Sequence, residues 1–422
     1  MATQARLLYD SDAGGSRRQR TLMTEPLAFN PFDYDTRWNP YPLYAKARRD
    51  HPVYRHPEFP IISVFRHADV EAILKDAARW SNQIRVPGVD MSAMGPPSML
   101  GQDAPEHTRL RGLVNQAFTP RIVRRLEPRM REIAELLIDR AVAEGETDFV
   151  RTVAYPLPVT VIAEIIGVPT SDMEQFKKWS DAAVENLGTG LFVPPSQERV
   201  DKIVRLIQEM GEYFNVLADE RLREPREDLL TGLVRAEHEG SRLTREEMVR
   251  MLVLLLVAGN ETTTTLIGDV VLELLAHPDE LSKLRARPEL LERAIEETMR
   301  FASPVQLDPR RCVTDTELHG VPIERNQLVV CWIGSANHDE AVFEHAERFD
   351  IERASNTHLG FGFGPHYCLG ANLARLEARI TTEVLLEKTA SFERATSEPL
   401  PLHPSIVFRG VTALPLQLKP QS

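Results

Sequence analysis

Apolar residues along this chain fall mostly at three- and four-residue steps, the period of helices that bury one face. From His107 to Arg250 the pattern is almost wholly helical, with breaks at Pro120, Pro169, Pro194 and Pro225. Proline lacks the N–H that a helix interior needs, so each marks a helix boundary. Two-residue alternation is scarce. Val53–Arg55 and Ile61–Phe65 read as a strand pair after a short helix at Tyr41–Arg49, and short strands are expected again near Leu318–Val330 and after Pro401. Ser81–Gly101, rich in Pro, Gly and Met, shows no period and reads as a long loop that overhangs a pocket. The fold class that follows is mainly α with minor β sheets (α+β). No repeat, low-complexity tract or shift of composition marks an internal boundary. Residues 1–24 are polar and read as a disordered N-terminal extension, leaving 25–422 as one large domain.

One segment departs from the amphipathic rule. Met251–Gly259 is an apolar run, and Leu266, Ile267, Val270 and Val271 continue it, so this helix is apolar on every side and is expected to be buried. Set into it are the acid Glu261 and, as mediocre or poor helix formers, Gly259 and Thr262–Thr265. A threonine hydroxyl can return to the carbonyl one turn back, here Ala258 for Thr262, loosening the helix enough to admit water or a small molecule. An acid beside an alcohol in a dry core suits proton transfer. The residues by themselves fit either that relay or a plain kink with a solvated far side.

A second segment, Phe361-Gly-Phe-Gly-Pro-His-Tyr-Cys368-Leu-Gly370, places one cysteine on a glycine-punctuated loop. Leu373, Leu376, Ile380 and Val384 then give a helical period, which puts Cys368 at a helix N-terminus, where the dipole favours a thiolate. Glycines at 362, 364 and 370 are expected to let a flat group lie against the loop. Two weaker signals accompany these. Glu297 and Arg300 share a helical face, and Arg348 is a candidate third member of their ionic network. His107 and Arg111, four residues apart, can grip carboxylates together, with Arg310 and His366 as further candidates.

Composition narrows the class. The net charge of -12 argues against general nucleic-acid binding. Three scattered cysteines, Cys312, Cys331 and Cys368, suit neither a disulfide framework nor a four-cysteine zinc site, and fit a reducing cytoplasm. No apolar run approaches the roughly 18 residues of a membrane span, and Met1–Arg20 carries no secretory signal, so neither a membrane anchor nor export is expected. No G-x-G-x-x-G fingerprint follows a strand, so no dinucleotide domain is expected.

With these segments in this order, the chain resembles the cytochrome P-450 family, specifically its soluble bacterial members, from about Pro31 to the C-terminus. The cysteine loop carries most of that resemblance, and Ala258-Gly-Asn-Glu-Thr-Thr263 carries the next part. The resemblance implies the cytochrome P-450 fold, with haem b between the threonine helix and the cysteine loop. It implies that Cys368 is the axial thiolate of the iron, with Phe361, Gly362 and Ala258 against the haem and His107, Arg111, Arg310 and His366 on its propionates. Thr262 and Glu261 match the residues that organise water and protons beside dioxygen, and Glu297, Arg300 and Arg348 match a structural ionic triad. The reaction implied is monooxygenation with O2 as co-substrate. Electrons would come from NAD(P)H through a reductase and a ferredoxin docking at Arg109, Arg121, Arg124, Arg125 and Arg375. A monomer is expected. By analogy Ile84, Leu255, Val305, Leu307 and Val407 line a pocket for a bulky hydrophobic steroid, terpenoid or macrolide, with Arg85 and Arg409 the only charges placed to meet a carboxylate. A peroxide-driven or non-oxygenating haem-thiolate enzyme and a haem-binding sensor are the alternatives.

Overall fold

The computed structural model describes residues 27, 30, 32–57, 59–84, 98–184, 196–238 and 241–421. The expected N-terminal extension at 1–24 and most of the loop expected at 81–101 lie outside the described residues. So does Arg85.

The largest contributor to the core is the helix Arg245–Ala276. Thr244 starts it with a capping box: its hydroxyl accepts the Glu247 N–H at 3.2 Å, and the Glu247 carboxylate accepts the Thr244 N–H at 2.7 Å. Met248, Leu252, Leu256, Ile267 and Val270 are buried. Pro156–Ile166, Gln197–Arg223, Leu291–Phe301 and Ala371–Lys388 pack around it. By length and composition this helix is also apolar enough to cross a membrane, contrary to the expectation from run length. Its apolarity is accounted for by the helices that cover it.

The expected strand pair is present as Val53–Arg55 antiparallel to Ile61–Val64, at one end of a five-stranded sheet. Leu328–Trp332 joins Ile61–Val64 in parallel; Leu307–Cys312 and Trp80–Ser81 follow antiparallel. Leu307–Cys312, read Leu-Asp-Pro-Arg-Arg-Cys, has no alternation to announce a strand. It tolerates Pro309 because its second neighbour pairs only with Arg311 and Cys312, so the missing N–H falls on an open edge. A three-stranded sheet brings Glu146–Asp148 to Pro415–Pro420 and Thr389–Arg394. Two-residue strands at Glu237–His238 and Ser241–Arg242 further interrupt the helical stretch. Such segments are too short to show a period.

The ionic network expected at Glu297, Arg300 and Arg348 exists with a different third member. Arg300 and Glu297 form a forked pair at 2.8 and 2.9 Å, both nearly or wholly buried. The second guanidinium belongs to Arg353, whose Nε lies 2.9 and 3.1 Å from the two Glu297 oxygens. The Arg348 side chain is exposed, and only its carbonyl enters the network, accepting from Arg300 at 2.9 Å. The turn after Asp350 brings the chain back and aims Arg353 inward; spacing along the sequence does not reveal that reversal.

Candidate functional site

The helix Ala371–Lys388 confirms the period read from Leu373, Leu376, Ile380 and Val384. The cysteine loop before it is tied by its own backbone: the Cys368 N–H donates to the Phe361 carbonyl at 2.9 Å, and the Tyr367 N–H to the Gly364 carbonyl at 3.1 Å. Gly362 and Gly364 have φ of 72° and 71°, and a Cβ on Gly364 would meet the Leu74 carbonyl oxygen at 2.8 Å. Gly370 differs from expectation. Its φ of -85° suits any residue, and a Cβ there would reach only the Cys368 sulfur, 4.0 Å away.

Burial pushes the Cys368 thiol up, outweighing the N–H groups of Gly370 and Ala371 and the charges of Arg111 and Arg375 that pull it down. The helix N-terminus therefore does not by itself make the thiolate, contrary to the expectation from sequence. A protonated thiol is a poor nucleophile, but a cation bound to sulfur deprotonates it outright. Among the described residues no three His, Cys, Asp or Glu side chains gather to hold a bare metal ion. Phe361, 9% exposed, backs the loop, and the Arg375 guanidinium sits 4.3 Å over its ring. Arg375 is held in turn by Glu296 at 2.6 and 2.8 Å.

Four cationic or ionisable groups expected to grip carboxylates are brought into two contacts around this loop. The His107 and His366 rings lie 3.9 Å apart. Burial, then His107 and Arg310, hold His366 down to about 4, and burial with Arg111 lowers His107. The buried His107 Nε2 has no hydrogen-bond partner among the described residues. Arg111 donates to the Tyr367 carbonyl, next to the cysteine, at 2.8 Å. Arg310 is 2% exposed; burial works against its charge, and Asp308, its partner, more than restores it. Two arginines and two histidines, one with an orphaned nitrogen, form an environment that anionic groups would relieve.

On the long helix, Thr262 donates to the Ala258 carbonyl at 2.6 Å, the bond expected from sequence. Leu255, Ala258 and Thr262 share one face. Ala258 is exposed and Thr262 half-buried, whereas Thr263, Thr264 and Thr265 are buried. The helix is thus open on that one strip. Glu261 is not free: His403 Nε2 lies 3.0 Å from its Oε1. Sequence gave no sign of His403, which is brought in by the return of a distant C-terminal segment. Of the expected pocket residues, Ile84, Val305 and Val407 are half-buried and Leu255 is buried. Val305 pairs with Phe408, and the Gln306 N–H donates to the Val407 carbonyl at 2.7 Å. Leu307 is a correction. It is 1% exposed in the cluster of Tyr44, Ile61, Phe65 and Trp332, because strand alternation turns it toward the sheet's packed face. Arg409 is likewise turned away from a carboxylate ligand, since it is half-buried with its guanidinium toward Glu273 and over the Tyr41 ring.

The haem that the resemblance implies would suit these residues: the Cys368 sulfur for its iron, the cluster of His107, Arg111, Arg310 and His366 for its carboxylates, and the helix strip bare at Ala258 for one face. The cytochrome P450 family model matches residues 26–415. Cytochrome P450 109 of Bacillus spizizenii is 38% identical over 97% of this chain and 99% of its own. The structure of the cytochrome P450 PksS of the Bacillus subtilis bacillaene polyketide synthase superposes with a TM-score of 0.85 at 36% identity, covering 93% of this chain and 100% of that one. CYP109E1 of Bacillus megaterium, solved in complex with testosterone, has a TM-score of 0.81 at 34% identity, covering 90% and 99%.

Proposed function

The chain belongs to the cytochrome P450 family of haem-iron monooxygenases, and on that premise we propose that it inserts one oxygen atom from O2 into a C–H bond of a bulky hydrophobic small molecule. The observation that carries this reading is Cys368: a half-buried, single thiol on a backbone-tied loop that opens the helix Ala371–Lys388.

Cys368 would hold the haem iron through its sulfur, and His107, Arg111, Arg310 and His366 would hold the haem propionates. Bound haem supplies the activation of dioxygen, with the thiolate pushing electron density toward O–O cleavage. What this chain adds can be read from its own atoms. Thr262 spends its proton on the Ala258 carbonyl, so its oxygen presents lone pairs and accepts a hydrogen bond from water. Glu261, the next residue, is the nearest acid on that stretch of helix and supplies protons to such water. This pair favours dioxygen over a peroxide-driven route, which has no need of proton delivery from an acid and an alcohol.

Steroids, terpenoids and macrolides are the substrate class we assign. Leu255, Ala258, Ile84, Val305 and Val407 offer apolar surface, and the testosterone complex of one relative and the polyketide pathway of another support bulky apolar ligands. Family members draw electrons from redox partners. A ferredoxin fed by an NAD(P)H reductase is the partner we propose, with the chain itself a cytoplasmic monomer, a reading that the three unpaired cysteines support. Of the basic residues expected to dock it, Arg124 and Arg125 are exposed, whereas Arg109 is paired with Glu106 and Glu247 and Arg375 with Glu296. The Arg121 side chain lies outside the described residues.

The test begins with the reduced carbon monoxide complex. A red-shifted Soret band is expected, and Cys368→Ala and Cys368→His should lose it; its absence in the parent protein overturns the reading. A spectral binding screen against steroids, terpenoids, macrolides and fatty acids then identifies the substrate. Turnover of a hit with a surrogate ferredoxin and reductase separates an oxygenase from a haem sensor.

A further inference from the structure

We infer that His403 is a positioning residue for Glu261, a fixed clamp on the distal acid and not a link in the proton path; the inference rests on the monooxygenase reading above. His403 Nε2 lies 3.0 Å from Glu261 Oε1, with the two side chains 5% and 14% exposed. The other ring nitrogen decides the chemistry. The Ser405 backbone N–H donates to His403 Nδ1 at 3.0 Å, so Nδ1 carries no proton and the ring proton sits on Nε2, the nitrogen that lies 3.0 Å from the carboxylate oxygen. An imidazole relays a proton by accepting one at one nitrogen as it releases one from the other. The group at Nδ1 is an amide, which has no proton to surrender. The Nε2 proton therefore stays, and His403 holds Glu261 Oε1 without feeding it.

The fold builds this contact deliberately. The His403 N–H donates to the Gly410 carbonyl at 2.9 Å, Leu402 pairs with Val411, and the Arg37 guanidinium grips the His403 carbonyl. Gly410 then lies flush on Thr265, where a Cβ would stand 2.4 Å from the threonine methyl. Thr265 is one turn beyond Glu261 on the same helix face. The glycine at one position thus sets the approach that brings the imidazole within reach at the other. Tyr155 and Asp181, bonded to each other at 2.5 Å, are the remaining titratable groups that interact with Glu261. Glu261 Oε2 has no hydrogen-bond partner among the described residues, so protons enter and leave through that oxygen.

Two measurements test the clamp on the holoenzyme. In the diamagnetic ferrous carbon monoxide state, histidine labelled with 15N should show one resonance pair, lost in His403→Gln, with Nε2 protonated and Nδ1 bare. A protonated Nδ1 or rapid exchange between the two forms would overturn the inference. With a screening hit as substrate, His403→Ala should release roughly tenfold more peroxide per NADPH, the equivalent of one hydrogen bond to a charged group, with the substrate dissociation constant unchanged. His403→Gln, whose amide N–H still reaches the carboxylate, should restore coupling, and Gly410→Ala should uncouple while retaining the histidine. Parental coupling in His403→Ala, or no rescue by glutamine, refutes the role. Where His403→Ala fails to bind haem, the tautomer and Gly410→Ala decide. A parent protein that oxygenates nothing defeats the preceding reading, and the tautomer measurement still judges the clamp.

Discussion

Thr262 and Glu297 show how differently two buried-helix polar residues are used. Thr262 makes one local bond, 2.6 Å to the carbonyl a turn back, on the helix strip left open at Ala258. Removing its hydroxyl leaves packing and binding almost intact but abolishes the acceptor for water. Thr262→Ala should therefore bind substrate as the parent does and divert electrons from product to peroxide, checked by product, peroxide and NADPH stoichiometry. Glu297, by contrast, is 1% exposed between two guanidinium groups. Truncating one partner of such a buried pair leaves an uncompensated charge and costs about 3–5 kcal/mol. Arg353→Ala should lower the unfolding midpoint and haem retention sharply. Arg348→Ala, which removes an exposed side chain while keeping the carbonyl, should change neither, and equal damage from both would refute the assignment of Arg353.

At the level of elements, the long helix and the cysteine loop respond oppositely to a methyl group. Gly259 lies inside the helix, and a Cβ there would make ordinary contact with Ile162 at 3.5 Å. Gly259→Ala should stabilise by up to about 1 kcal/mol, the propensity difference, visible as a higher thermal midpoint. Gly364 sits at a φ of 71°, which costs a residue with a Cβ about 1–2 kcal/mol, and its Cβ would also collide with the Leu74 carbonyl. Gly364→Ala should shift the loop and weaken haem binding, measured by transfer of haem to apomyoglobin.

For the whole molecule, the helix Leu291–Phe301 is cross-linked to the cysteine helix by Glu296, which meets Arg375 and also His358 at 3.1 Å. Burial works against the Glu296 charge, but the Arg375 and His358 bonds win and hold its carboxyl down to about 2. Its folded value lies below the unfolded one, so it stabilises the native state above about pH 4.5, and that contribution is lost as pH falls toward 2. Glu296→Gln should flatten this part of the acid-unfolding curve measured by circular dichroism. Electrostatics also act between molecules. Reversing Arg124 and Arg125 should slow reduction by a ferredoxin and weaken its salt dependence; unchanged kinetics would remove these residues from the docking face.

The sequence by itself determined what local chemistry can write. The apolar helix with its threonine-to-carbonyl bond and the helix that follows the Cys368 loop are short-range patterns, and both stand in the fold as read. The short strands at Glu146–Asp148 and Leu307–Cys312 were not legible, because three to six residues paired across distant segments carry no period of their own. Tertiary structure alone decided which arginine completes the Glu297 network, which face Leu307 takes, and that His403 meets Glu261. Each of these depends on where a turn or a returning strand aims a side chain, and that direction is set by packing between segments far apart in the chain.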